Sequence, residues 1–235
     1  MTLPPIVIIL LTYQRTEYAL RTVRAANAHL RYDGEMRWYV ADDGSHGKHV
    51  DDVLSTFFDT LQPYGSGLPS SFLGRHSARR GYGGNANDAW RAVDGETPLT
   101  FWLEDDWVLE SDLDLTPYAR LLIERDEIGM VRLGHLNLDV RGRTWGHDGR
   151  VYWLLDHAPH HEGTPVFTGH PSLRHRRYRE CYGWYPEGRT PGDTELAYAY
   201  QFRVGPLEGP GIVWPVGYSQ WGQFAHIGEI KSEAL

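Results

Sequence analysis

Three consecutive acidic residues, Glu104, Asp105 and Asp106, follow an apolar segment that ends at Leu103, and the next basic residue is Arg120. Like charges at this spacing repel one another unless protons or a cation neutralise them. A hard divalent cation, held by one or two carboxylates together with substrate phosphates, meets that need. The triplet therefore predicts a Mn²⁺ or Mg²⁺ site, with a solvated acidic turn as the alternative.

A glycine-rich turn, Gly81-Tyr82-Gly83-Gly84, follows a segment that holds Arg75, Arg79 and Arg80. With Ala86 as its last position the turn fits the dinucleotide-binding fingerprint, but that fingerprint belongs directly after the first strand of a βαβ unit. Here the arginine segment intervenes. We favour the other interpretation, in which backbone amides at a helix start, together with Arg79 or Arg80, meet a diphosphate.

The elements that must bring these features together follow from the hydrophobic pattern. A continuous β-branched run from Pro5 to Thr12 is typical of a strand buried on both faces. Further strands are predicted at 35–41, 72–73, 99–103, 128–133 and 212–214, helices at 15–30, 50–61, 81–93, 115–125, 171–180 and 193–202, a loop at 62–71, and hairpins and loops at 139–165. This alternation predicts an α/β fold with a mostly parallel sheet, whose ligands bind beyond the carboxyl ends of the strands.

Composition limits the class of protein. The chain has 235 residues with a formal net charge of −8, and 41% of its residues are hydrophobic. These values exclude disordered, collagen-like and coiled-coil chains, disfavour a generic basic nucleic-acid coat, and favour a single domain over 1–235. The longest apolar run, Ile6–Leu11, is far below the roughly 18–20 residues that span a bilayer, and Cys181 is the only cysteine. We expect a soluble, cytoplasmic protein without a membrane span.

The order of these motifs resembles the family-2-like glycosyltransferases of the GT-A fold, and in particular small stand-alone members of the type found in tailed phages. The segments that carry the resemblance are Thr12-Tyr13-Gln14-Arg15, Ala41-Asp42-Asp43-Gly44-Ser45, Arg80…Gly84…Asn87, Glu104-Asp105-Asp106, Gly169-His170-Pro171-Ser172-Leu173-Arg174 and Gly192-Asp193-Thr194-Glu195-Leu196. They cover roughly residues 5–203. The resemblance implies a Rossmann-like nucleotide-sugar-binding half at about 1–110 and an acceptor-binding half at about 111–235.

The resemblance also implies which residues bind the donor, a nucleotide sugar that we expect to be UDP-linked. The implied donor-binding residues are Thr12, Tyr13, Arg15, Asp42, Asp43, Arg80, Gly84, Asn87, Glu104 and Asp105. The implied ligands of Mn²⁺ or Mg²⁺ are Asp106, Glu104 and His226, and the metal would stabilise the charge that grows on the leaving diphosphate.

The catalytic base implied by the resemblance is Asp193, which would take the proton of the acceptor hydroxyl. Gly192 stands where the family commonly has Glu, so Glu195 is the alternative base. One base opposite the leaving group implies inversion at the anomeric carbon.

A basic run interleaved with aromatic residues lies between the two acceptor-side motifs and is the one indication of the acceptor. Its arginines are Arg174, Arg176, Arg177 and Arg179. If they form a surface, phosphates of DNA with a hydroxymethylated base could bind there, with the base flipped towards the site. A solvated helix face is the alternative, and a saccharide or protein acceptor is equally compatible with the aromatic residues. The compartment would be the host cytoplasm if a phage encodes the chain.

Other classes of protein use similar carboxylates. A glycosidase needs two acids that flank a sugar cleft, about 5–10 Å apart, and releases free sugar without a nucleotide donor. A nucleotidyltransferase with a related sheet releases pyrophosphate instead of a nucleoside diphosphate. A binding module without catalysis would tolerate loss of Asp193.

Overall fold

The apolar run near the N-terminus forms the central strand β1 (Ile6–Thr12), in which every residue is buried. Alternate side chains from Ile6 onward pack into one hydrophobic core, and those from Val7 onward pack into a second core on the opposite face. Cover on both faces explains why the strand is apolar throughout, as predicted. The structure is a computed structural model that describes residues 2–61, 73–76, 78–134, 144–154, 169–204, 214–217 and 223–228.

The remaining elements follow in chain order. The strands are β2 (Leu30–Arg31), β3 (Met36–Asp42), β4 (Leu73–Arg75), β5 (Leu99–Glu104), β6 (Trp107–Leu109), β7 (Leu113–Asp114), β8 (Ile128–Arg132), β9 (Thr144–His147), β10 (Arg150–Leu154), β11 (Ser172–His175), β12 (Trp214–Gly217) and β13 (Phe224–His226). The helices are α1 (Thr16–His29), α2 (Gly47–Leu61), α3 (Gly81–Val93), α4 (Thr116–Glu124), α5 (Arg176–Tyr182) and α6 (Pro191–Val204).

Nine strands form one sheet in the order β4-β3-β1-β5-β11-β8-β12-β10-β9. The four strands from β4 to β5 are parallel, whereas β11 runs antiparallel to both β5 and β8. Residues of α1, α2 and α4 belong to the core on one face of the sheet, and residues of α3, α5 and α6 belong to the core on the other. The predicted α/β fold, a central sheet with parallel strands from β4 to β5 and helices on both faces, is confirmed.

The helix predicted over 171–180 is wrong in its first half, because residues Ser172–His175 form strand β11 and the helix begins only at Arg176. Polar residues alternate with Leu173 there, which hid a strand that is buried between two neighbours. Its buried arginine, Arg174, is 1% exposed. A charged residue in a central strand is rare, so the sequence pattern gave no sign of it.

The other differences are small. The hairpin of β9 and β10 confirms one of the hairpins expected over 139–165, and its turn places Asp148 and Gly149 at positive φ. The last of the predicted strands, 212–214, corresponds to β12, which begins at Trp214 instead of ending there. Residues 212–213, the 62–71 loop and the rest of 139–165 lie outside the described residues. Among the helices that the structure describes, none is long and apolar enough to cross a membrane.

Candidate active site

The parallel strands β3, β1 and β5 end at the same level. Thr12 pairs with Asp42 and Leu11 pairs with Glu104. From β1 the chain passes to β3 and β4 on one side and returns to β5 on the other, so the order reverses between β1 and β5. Ligands of open α/β sheets bind at such a reversal, beyond the carboxyl ends of the strands.

A cleft of about 430 Å³ opens at this point. Six of the residues predicted to bind the donor line it: Thr12, Tyr13, Arg15, Asp43, Glu104 and Asp105. Arg79, which the sequence gave as an alternative to Arg80, lines it as well. So do Tyr82 and Asn85, which the sequence analysis did not assign to the site.

Asp105 is the most firmly held residue of the cleft and is 1% exposed. Its Oδ2 accepts hydrogen bonds from the Thr12 hydroxyl at 2.9 Å and from the Tyr13 amide at 3.3 Å, and its Oδ1 pairs with Arg15. The Thr22 hydroxyl donates to its backbone carbonyl at 2.8 Å. Burial raises the pKa of Asp105 to about 6, against the lowering effect of the Arg15 charge. The carboxylate is fixed in orientation and ionises near neutral pH.

Arg15 also pairs with Asp106, and its Nη1 lies 2.7 Å from Asp106 Oδ2. On the other side of that carboxylate, His226 Nε2 lies 3.3 Å from the same oxygen. The His226 ring packs beside Trp107, with 4.9 Å between the ring centroids. Strand β13 therefore places His226 next to Asp106, so that these two predicted metal ligands are close enough to bind one ion.

The donor set at this point fits a divalent cation. Asp106 Oδ1 and Glu104 Oε1 are buried carboxylate oxygens without a hydrogen-bond partner among the described residues, and such atoms usually indicate a missing ion or water. Within the described ranges no three His, Cys, Asp or Glu side chains already form a metal-binding cluster. Asp106 and His226 would therefore share the ion with substrate oxygens, as is common for Mg²⁺ and Mn²⁺ sites.

Glu104 and Glu195 meet at Gly169. The Gly169 amide donates to Glu195 Oε1, and a Cβ at Gly169 would overlap Glu104 Oε1 and lie 2.8 Å from Glu195 Oε1. Burial raises the pKa of both carboxyl groups, that of Glu104 well above its ordinary value. The negative charge of Asp106 opposes ionisation of both groups, but the Gly169 amide and the charges of Arg132 and Arg174 favour the anion of Glu195. Glu195 is therefore the better carboxylate base of the two.

Asp193 is exposed and faces away from these groups. Its carboxylate accepts a hydrogen bond from the Thr190 hydroxyl at 2.8 Å, and its amide donates to the same hydroxyl oxygen at 3.2 Å. This reciprocal pattern caps the start of α6. Because residues two apart on a helix point in nearly opposite directions, the structure brings Glu195 into the site and leaves Asp193 outside it.

Asp43 occupies the helix start that the sequence assigned to a diphosphate. Its carboxylate accepts from the amides of Arg80 and Gly81 at 2.6 and 2.9 Å, so these amides are already satisfied within the protein. The Arg80 side chain forms ion pairs with Asp88 and Glu187 and does not line the cleft. The correction is that Arg79, not Arg80, lines the cleft, with its guanidinium 4.5 Å from the centroid of the Tyr13 ring.

Three more predicted donor residues support the site from behind instead of lining it. The Asp42 carboxylate accepts from the Ser45 amide at 2.9 Å and closes the turn after β3, where Gly44 has φ +86. Asn87 is buried and exchanges hydrogen bonds with the backbone of Tyr185. Gly84 lies within α3, and a Cβ there would meet the Arg80 side chain. None of these three is among the residues that line the cleft.

The two α3 residues that sequence reasoning missed have a recognisable spacing. Tyr82 and Asn85 are three apart, so they share one face of the helix, and both line the cleft. The Tyr82 side chain favours the anion of Glu104 and lowers its pKa against the larger effect of burial, and the Asn85 amide donates to the Ala41 carbonyl at 2.9 Å. The helical period of α3 could have identified them.

The basic run does not form the predicted DNA-binding surface. Arg174 is buried, donates to Ser172 and Tyr185 at 2.9 and 2.5 Å, and stacks 4.6 Å from the Trp102 ring centroid. Two more arginines bind groups within the fold. Arg177 donates hydrogen bonds to backbone carbonyls at the end of α4, and Arg179 forms an ion pair with Asp94. Only Arg176 of the four is exposed. The run therefore stabilises the packing of β11 and α5.

The comparisons with known proteins agree with this geometry. Residues 7–183 match the profile of glycosyl transferase family 2. No curated protein sequence matches the chain.

Several solved structures share the fold at low sequence identity. The mannosyltransferase PcManGT from Pyrobaculum calidifontis, solved in complex with GDP-Man and Mn²⁺, gives a TM-score of 0.56 at 16% identity over 83% of this chain and 51% of that chain. Residues 1–349 of S. aureus TarS give 0.60 at 12% identity over 95% and 60%. GalNAc-T7 with UDP, GalNAc and Mn²⁺ gives 0.58 at 13% identity over 94% and 45%.

This chain thus spans about half the length of the solved structures that it matches. Likeness at this identity shows the fold, and the profile, which covers most of the chain, shows the family. The carboxylates at the ends of β3 and β5 lie on a GT-A sheet, and the chain belongs to glycosyl transferase family 2.

Proposed function

We propose that this chain transfers a sugar from a nucleoside-diphosphate sugar to an acceptor hydroxyl with inversion, and that Glu195 is the general base. The observation that carries the proposal is the position of Glu195, a half-buried carboxylate that the Gly169 amide holds beside Glu104, which lines the donor cleft. A carboxylate that is fixed in place and has a raised pKa is suited to accept a proton near neutral pH.

The donor half of the cleft has groups suited to a nucleotide. The Tyr13 ring and the Arg79 guanidinium offer stacking and positive charge, and Asp105 is an oriented acceptor for ribose hydroxyls. We propose a UDP-linked donor, because TarS was solved with UDP-GlcNAc and GalNAc-T7 with UDP. GDP-mannose, the ligand of PcManGT, is the alternative to compare with it.

Asp106 and His226 would hold Mn²⁺ or Mg²⁺, with Glu104 close to the same carboxylate. Such an ion acts as a Lewis acid and stabilises the charge on a departing diphosphate. Arg15 binds both Asp105 and Asp106 and keeps the two carboxylates in place at the floor of the cleft.

The acceptor hydroxyl gives its proton to Glu195 as it attacks the anomeric carbon. General-base assistance of this kind contributes about 10²–10⁴-fold in rate. Attack from the side opposite the leaving diphosphate inverts the configuration, and a single base is sufficient for it.

The product distinguishes this function from the other uses of the same carboxylates. A glycosyltransferase releases a nucleoside diphosphate, a nucleotidyltransferase releases pyrophosphate, and a glycosidase releases sugar without any nucleotide. The test is binding of UDP, GDP and their sugars with and without Mn²⁺ by calorimetry, followed by mass analysis with simple glycosides and hydroxymethylated DNA as acceptors. Metal-dependent binding of one nucleotide and release of its diphosphate support the proposal. Failure of every nucleotide sugar to bind or react would contradict it.

A further inference from the structure

A chain of buried hydrogen bonds runs behind the donor cleft, and its centre is His49 in the first turn of α2. The side chain of His49 is 4% exposed. Its Nε2 lies 2.9 Å from the Thr12 hydroxyl and its Nδ1 lies 2.9 Å from the Thr16 hydroxyl. Thr12 in turn donates to Asp105 Oδ2 at 2.9 Å. The Nε2 atom of a residue outside the cleft is therefore linked through Thr12 to a carboxylate inside it, while Nδ1 is held by Thr16.

The direction of each hydrogen bond follows from the chemistry of the groups. A hydroxyl has one proton to donate and a carboxylate only accepts, so the Thr12 proton points to Asp105. Thr12 must then accept from His49, which places the imidazole proton on Nε2. The Nδ1 atom of that neutral ring accepts from Thr16. Burial lowers the pKa of His49, which agrees with a neutral ring.

Asp42 also faces the His49 ring. Its Oδ1 lies 3.9 Å from His49 Nε2, beyond hydrogen-bond distance, and its charge opposes the lowering of the His49 pKa by burial. An apolar residue at this buried position would leave the Thr12 and Thr16 hydroxyls without their partner, which is costly inside a protein. The choice of histidine is explained by its ability to donate at one end and accept at the other.

We infer that His49 is a positioning residue of the donor site, which fixes the Thr12 hydroxyl and through it the orientation of the Asp105 carboxylate. The inference rests on the proposed function, since Asp105 matters here as a group that binds the nucleotide. Groups that orient a binding residue in this way typically change affinity or activity by about 10–100-fold when they are removed.

The test compares His49→Leu, which removes both hydrogen bonds, with His49→Gln, whose amide can donate to Thr12 while its carbonyl accepts from Thr16. His46→Leu is the matched control, because His46 is exposed and lies three residues earlier. Affinity for UDP and GDP with Mn²⁺ is measured by calorimetry, KM and kcat by product release, and the His49 tautomer by ¹⁵N NMR of the wild-type chain. We expect about tenfold weaker binding and a similar rise in KM for His49→Leu, substantial recovery in His49→Gln, no change in His46→Leu, and a proton on Nε2.

The outcomes separate this inference from the proposed function. If the wild-type chain binds UDP or GDP and His49→Leu binds it equally well, only the inference about His49 is overturned. A proton on Nδ1 of the wild-type ring also overturns it, and this measurement holds even if the leucine variant does not fold. Equal loss in the leucine and glutamine variants points to a packing role and is a further negative result. If the wild-type chain binds no nucleotide, the proposed function fails and the inference with it.

Discussion

The backbone amide of Gly169 donates a hydrogen bond to Glu195 Oε1, which fixes this carboxylate in the site. The α6 helix turns Asp193 the other way, where it caps the helix through Thr190. Two acids of one short motif therefore have different surroundings, and in the proposed mechanism only Glu195 takes part in the chemistry.

Glu195→Gln keeps the shape of the side chain but removes the base. We expect kcat to fall by at least about 10²-fold, because an amide cannot take the acceptor proton, while nucleotide affinity stays within a few-fold of wild type. Steady-state turnover and calorimetric binding of the nucleotide measure the two effects.

Asp193→Ala is the control for this prediction. It removes a helix cap, so we expect a loss of about 1 kcal/mol in unfolding free energy with turnover largely kept. Loss of turnover in Asp193→Ala with full activity in Glu195→Gln would reverse the assignment.

Gly169→Ala tests how closely the two glutamates meet. A Cβ at this position would overlap Glu104 Oε1, so the loop or both carboxyl groups must shift, which typically costs about 1–3 kcal/mol. We expect lower thermal stability and a marked loss of kcat. Gly192→Ala is the matched control, since nothing lies within 4 Å of its added Cβ. Equal behaviour of the two variants in thermal unfolding and turnover would contradict the crowded arrangement at Gly169.

The strand ends were predictable because apolar strands of a parallel sheet place the polar residues that follow them at one edge. Asp105 was found in this way, because the acidic triplet directly follows a strand. Thr12 and Asp43 also end or follow strands, but the family resemblance was needed to assign them to the donor.

The remaining site residues depend on contacts that no local pattern records. Which of Arg79 and Arg80 faces the cleft is decided by Asp88 and Glu187, acids that attract the Arg80 side chain to the surface. The buried state of Arg174 depends on Trp102, which comes from a different strand. The sequence alone therefore could not show whether the arginines of the basic run are buried or form an exposed surface.

Arg15 lies where it can neutralise Asp105 and Asp106 in the absence of metal. Arg15→Met leaves two buried carboxylates without their cation, and loss of one partner of a buried pair typically costs about 3–5 kcal/mol. We expect a large fall in melting temperature in EDTA and a larger stabilisation by Mn²⁺ than the wild type shows. Arg31→Met is the control, because the Arg31 side chain is half exposed and its pairing with Asp112 is long at 3.7 Å. An Mn²⁺ effect no larger than that of the wild type would show that Arg15 does not stand in for the cation.

The two central arginines of the basic run should differ sharply in their effect on stability. Arg174→Leu removes a buried cation that bonds to Ser172 and Tyr185 and stacks on Trp102. We expect a loss of about 3 kcal/mol or more in the free energy of unfolding by urea. Arg176→Leu changes an exposed residue and should stay within about 0.5 kcal/mol of wild type. Similar values for the two variants would restore the surface interpretation of the run.

The raised pKa of Asp105 makes the stability of the metal-free protein depend on pH in a definite direction. Its pKa is about 6 in the folded protein against an ordinary value of 3.8. Below about pH 3 the group is protonated in both the folded and the unfolded chain and makes no difference to stability. As the pH rises towards 6, the unfolded chain ionises first, so the folded state loses relative stability, and above 6 the loss is constant at roughly 3 kcal/mol.

Asp105→Asn removes this ionisation and resembles the protonated side chain. We therefore expect its melting temperature to rise relative to wild type between about pH 4 and 6 and to keep that advantage at pH 7, in EDTA and without nucleotide. Asp112→Asn is the matched control, because the Asp112 pKa is lowered by its hydrogen bond with His29. The melting temperature of Asp112→Asn should therefore not rise relative to wild type as the pH increases from about 4 to 6. A constant difference between Asp105→Asn and wild type across this range would mean that the Asp105 carboxylate is not destabilised by its burial.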